Sequence, residues 1–112
     1  MLNLVHLTIE QGEKALNLIN DFEKKNFLYG YAKRRLSSWI CEESFNAQNL
    51  IEASKALATA DYDLKQAWSY LKQLETVKGA DVEQIMDLAK TEIVSAERSI
   101  TLVHDYMSGI FE

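Results

Sequence analysis

Proline is absent from this chain of 112 residues, cysteine occurs once, and only four glycines punctuate it. Without proline nothing interrupts a helix sterically, so long helices are allowed. The single thiol, Cys41, excludes an internal disulfide framework and fits a reducing cytoplasm. Gly12, Gly30, Gly79 and Gly109 stand too far apart to form a phosphate-cradling loop, which disfavours a nucleotide-binding enzyme. No apolar run approaches the roughly 18–20 residues that cross a bilayer. The opening, Met1-Leu-Asn-Leu-Val-His-Leu7, has neither the basic region nor the apolar length of a secretory signal.

What is present is enough for a folded core. Hydrophobic residues make up 47% of the chain and charged residues 26%, and the length fits one helical domain over residues 1–112. A net charge of −5 argues against nucleic-acid binding by the surface at large.

The periodicity predicts an all-α protein, an antiparallel up-down four-helix bundle. Thr8 with Gln11 forms a capping box for a first helix over about residues 8–25, whose stripe is Gly12, Ala15, Leu16, Ile19 and Phe22. Lys24 and Lys25 close it and Asn26 turns the chain. A second helix carries Tyr29, Ala32, Leu36, Trp39, Ile40, Ala47, Leu50, Ile51, Ser54 and Leu57, with a kink expected at Cys41-Glu-Glu-Ser44. Thr59 and Asp61 are N-caps for a third helix with Leu64, Ala67, Trp68, Leu71, Leu74 and Val77, ended by Lys78-Gly79. Asp81 and Gln84 open a fourth helix, whose Ile93, Ala96, Ile100, Val103, Met107 and Ile110 alternate three and four residues apart. Residues 1–7 read as an extended tail tucked against the bundle. Long second and fourth helices would reach roughly 45 Å against roughly 26 Å for the others. Their overhanging apolar stripes predict a homodimer or a protein partner.

Charge is unevenly spread. Residues 24–35 hold five basic groups, three aromatics and no acid, leaving −10 on the rest of the chain. Basic groups interleaved with aromatics can neutralise phosphates and stack bases, so Lys24, Lys25, Tyr29, Tyr31, Lys33, Arg34 and Arg35 are the candidate partner-binding residues, for an acidic protein or for nucleic acid. The same residues also have ordinary structural uses, the lysines at a helix end and Phe27 and Tyr29 in a core stripe. No metal site is expected. Neither histidine has a Glu three residues before it, and the pairs Glu42/Glu43 and Asp61/Asp63 lack a His or Cys at ligand spacing. No cofactor is expected either, and Cys41 has no neighbouring base to make it a nucleophile.

The segment Arg98-Ser-Ile-Thr-Leu-Val-His104-Asp-Tyr106 resembles the Arg-x(4–6)-His motif, with a trailing x-Tyr, of the HEPN ribonucleases, small helical bundles often found as toxins in toxin–antitoxin pairs. The resemblance covers nine residues. It implies Arg98 and His104 as a metal-independent catalytic pair acting on RNA from a dimeric cleft, with Tyr106 auxiliary. The family usually breaks the helix after the Arg, whereas here Ser99 lies within a heptad seam. On a continuous helix the six-residue spacing puts Arg98 and His104 about 120° apart.

With no cofactor loop, metal set or nucleophile–base pair, the leading expectation is a non-enzymatic protein-binding module working through exposed helical faces. By association with other small acidic helical proteins, that means an adaptor or inhibitor, such as a phage- or bacterially encoded inhibitor of a larger nucleic-acid-handling or defence complex. The HEPN-like ribonuclease and nucleic-acid contact through residues 24–35 are the alternatives.

Overall fold

Thr8 and Gln11 cap each other as their spacing predicts. The Gln11 N–H donates to Thr8 Oγ1 at 3.1 Å and the Thr8 N–H to Gln11 Oε1 at 3.2 Å. From that box the first helix runs far past its expected end. A computed structural model describes residues 2–40 and 46–108 as three helices, α1 (Ile9–Ile40), α2 (Ala47–Gln73) and α3 (Ala80–Met107). There is no strand among the described residues. The all-α class holds and the four-helix bundle does not: helices expected at residues 8–25 and from Tyr29 onward are one.

The fusion has a physical cause. Asn26 is exposed on the helix and lines a hollow between α1 and α2, so its helix-breaking preference is spent in solvent. The stripe does not change phase there. Ala15, Leu18, Phe22, Lys25, Tyr29, Ala32, Leu36 and Trp39 keep one heptad register, and Lys25 at an inward position conceals it. Lys24 and Lys25 are therefore mid-helix, not at a C-terminus. The expected boundary at Thr59 and Asp61 disappears likewise. Thr59 Oγ1 donates to the Lys55 carbonyl at 3.1 Å and Asp61 pairs with Lys65 at 2.9 Å, both compatible with helix interior. The expected kink at Cys41-Glu-Glu-Ser44 lies outside the described residues, as does Ile110.

Asn46 caps α2 by accepting from the Asn49 N–H at 3.1 Å. Between α2 and α3, Gly79 does adopt positive φ, at 67°, but as the residue before α3 rather than as the C′ of the preceding helix. Asp81 is a first-turn acid there, not the cap.

Two buried clusters show the topology. Ala15 meets Leu71, Leu74, Val82, Met86 and Ala89 at one end. Ala32 and Leu36 meet Ala53, Ala56, Ala60, Ile100 and Val103 at the other. The chain thus runs up, down and up, with α1 parallel to α3. The α2–α3 pair is the most extensively packed. On α3, Val82, Met86, Ala89, Ile93, Ala96, Ile100 and Val103 form a heptad seam, and fully buried Ala53, Ala60 and Ala67 on α2 let the two backbones approach.

Among the described residues the three helices have 32, 27 and 28 residues, so the short-long-short-long set that gave an overhang is not present, and the argument for a homodimer or a protein partner drawn from it falls. Leu2, Leu4 and Leu7 pack on the Leu71/Val82 cluster. The Asn3 N–H donates to Glu75 Oε1 at 2.8 Å, and the His6 ring contacts the Val77 carbonyl at 3.1 Å.

Candidate basic-aromatic groove

The C-terminal third of α1 gathers part of the basic segment on one side. Tyr31, Arg34, Arg35, Ser38 and Trp39 line a groove of about 420 Å³ closed on its far wall by Met107 of α3. One helical turn brings Tyr31 over Arg34 and Arg35, because positions three and four apart share a face. His104 of α3 packs on Tyr31, their ring centroids 6.0 Å apart and tilted by 39°. Burial holds the His104 imidazole below the ordinary histidine range, and Arg35 pushes the same way while Asp105 opposes. At neutral pH the ring is therefore uncharged, and the groove's charge is that of the two guanidiniums.

No described carboxylate forms an ion pair with these guanidiniums. The ion pairs among the described residues engage Lys14, Lys25, Lys55 and Lys65, and none engages Arg34 or Arg35. No described carboxylate lines the groove. An Arg pair flanked by aromatic rings is suited to carboxylate or phosphate, held by forked hydrogen bonds with the rings excluding water.

Of the seven candidate partner-binding residues, Tyr31, Arg34 and Arg35 converge. Lys24 borders the next hollow along α1, with Asn20, Glu23, Lys25, Phe27 and Leu28. Lys25 is turned inward, its side chain 15% exposed, with its ammonium 3.5 Å from Asp21 and 3.8 Å from Glu97 of α3. Tyr29 is also inward, packed on the Ala32/Leu36 cluster, and burial with Asp61 nearby raises its hydroxyl pKa. Lys33 lies roughly 160° round the helix from Tyr31. Phe27, expected in the core, is 68% exposed. Trp39, Ser38 and Met107 were not among the candidates. Trp39 read as core stripe, and the signal that would have found it is its spacing of four from Arg35.

The HEPN-like residues fall apart spatially. Arg98 is exposed and borders a hollow with Lys90, Thr91, Val94 and Ser95. His104 faces Tyr31 instead, and Tyr106 packs on the cluster of Ala53, Ile100 and Val103. The helix stays unbroken from Arg98 through His104.

A second polar feature lies inside the bundle. Asp63 of α2, 6% exposed, accepts from Ser95 Oγ of α3 at 2.6 Å. Burial, the Asp63 charge and a hydrogen bond with Asp63 together raise the carboxyl pKa of Glu92 on α3. No group of three or more His, Cys, Asp or Glu among the described residues is placed to hold a metal. No described helix is long and apolar enough to cross a membrane.

Comparison of this chain with protein-family models, with curated proteins and with solved structures gave no match.

Proposed function

We propose that this chain is a non-enzymatic protein-binding module that takes an acidic segment of a partner protein in the groove of Tyr31, Arg34, Arg35, Trp39 and Met107. The observation that carries the reading is the convergence of Arg34 and Arg35, without a described carboxylate partner, on an aromatic-lined hollow in a chain of net −5. A short protein segment fits this charge pattern better than a nucleic acid does. A polyanion extends its charge beyond the groove and meets a surface that is acidic elsewhere, whereas one or two carboxylates on an otherwise apolar segment meet only the arginines. Adaptor and inhibitor roles both follow from such a contact.

A selection of random linear peptides displayed on phage, run against the intact chain, tests this. Enriched peptides should place Asp or Glu beside aromatic or aliphatic residues. They should lose roughly tenfold or more in affinity on Arg34→Glu with Arg35→Glu, the loss of charge-assisted hydrogen bonds. The double variant should unfold at the wild-type temperature, since both side chains are exposed. Failure to enrich peptides, or tighter binding of single-stranded oligonucleotides through the same arginines, overturns the reading.

A further inference from the structure

Beyond the Tyr31 end of the groove a second hollow follows along α1. Phe27, Tyr31, Arg34 and Ser38 recur at four, three and four residues along α1, with Lys24, Leu28 and Arg35 on the same flank, so they form one stripe about 16 Å long. Its two ends differ in chemistry. Phe27 and Leu28 are large, apolar and exposed, the Arg pair lies two turns further on, and exposed Tyr31 stands between them. Phe27 is 68% exposed at one end, and at the other Arg34 and Arg35 are exposed beside the wall that Met107 of α3 supplies.

We infer that the occupant of this stripe is an amphipathic α-helix of the partner, running antiparallel to α1, with acidic residues in its first turn against Arg34 and Arg35 and apolar residues one turn later against Tyr31 and two to three turns later against Leu28 and Phe27. The inference rests on the protein-binding reading above and specifies the partner's form. Three considerations carry it. One common way for an extended segment to dock is to pair its backbone with an open sheet edge, and no strand among the described residues offers that edge. An extended backbone laid on Phe27 and Leu28 would leave N–H and C=O groups desolvated and unpaired, whereas a helix satisfies its own. Charge complementarity then sets the direction. The stripe's basic end needs carboxylates, and a helix carries Asp and Glu most favourably in its first turn, where they complement its dipole.

The test uses two peptide libraries against the intact chain. One is a capped, helix-stabilised 18-residue scaffold with its exposed face randomised; the other carries the same random positions on a proline-interrupted extended scaffold. Helical binders should emerge with acids in the first turn and aromatic or aliphatic residues about seven to eleven positions on. Phe27→Glu and Arg34→Glu should each weaken them roughly tenfold or more. Reversing the order of the selected face, acids last, should weaken them by a similar factor. Binders that come from the extended library, or helical binders indifferent to Phe27→Glu or to reversal, overturn this inference and leave the protein-binding reading standing. Absence of binders from both libraries overturns the two together.

Discussion

Replacing Glu92 by glutamine should stabilise this protein at neutral pH and do nothing at pH 4. Glu92 lies near Asp63, which is buried on α2 and already accepts from Ser95 Oγ at 2.6 Å. Burial first, then the Asp63 charge, then a hydrogen bond with Asp63 that requires a proton on the pair, raise the Glu92 carboxyl pKa. A carboxyl whose native pKa lies above its unfolded value stabilises the fold fully below the unfolded value, and loses that contribution as pH rises through the native one. The wild type therefore loses stability from its ordinary value near 4.5 upward. Glutamine keeps an N–H donor for Asp63 at every pH and removes the like charge. A neutral donor to a charged acceptor contributes about 1.5–3 kcal/mol, and because the site is only partly buried we expect about 1 kcal/mol net at pH 7.5. For a domain of this size that is roughly 4 °C in Tm. Thermal unfolding followed by circular dichroism at pH 4 and 7.5, on wild type and Glu92→Gln, gives the comparison. A pH-independent difference, or a loss at pH 7.5, would refute the shared-proton account.

Lys25→Met should raise Tm by the equivalent of about 1 kcal/mol in chemical denaturation, since partial desolvation of the ammonium outweighs two attractions worth about 0.2–1 kcal/mol each, and Asp21 and Glu97 remain solvated. Ala60→Leu forces extra methylenes into the α2 seam, where Ala60 is fully buried, and should cost about 1–3 kcal/mol by the same measurement. His104 has a depressed native pKa, so its contribution is present above the ordinary value of 6.5 and is lost as pH falls through the native one. His104→Gln should flatten the wild-type decline in Tm between pH 7 and 5.

The sequence by itself determined the helical class, the Thr8/Gln11 box, the α3 heptad and the presence of a basic-aromatic segment, because each depends on neighbours within one or two turns. It misplaced the boundaries for the same reason. Asn26, Thr59 and Asp61 carry helix-end chemistry whether or not a helix ends there, and the seam past them is marked by Lys25 and by small alanines rather than by large apolar residues. Only the tertiary structure decided between the two uses. Packing against Glu97 of α3 makes an inward lysine tolerable, and packing of Ala53, Ala60 and Ala67 on α3 makes alanine a core residue. The same holds for the groove. Twelve residues of basic composition were legible, but helical phase sent Lys25 and Tyr29 inward and Lys33 to another side. Arg34 and Arg35 converge with Tyr31, Trp39 and Met107 because α3 lies parallel to α1 and ends beside them, a proximity between residues some seventy positions apart that no local pattern records.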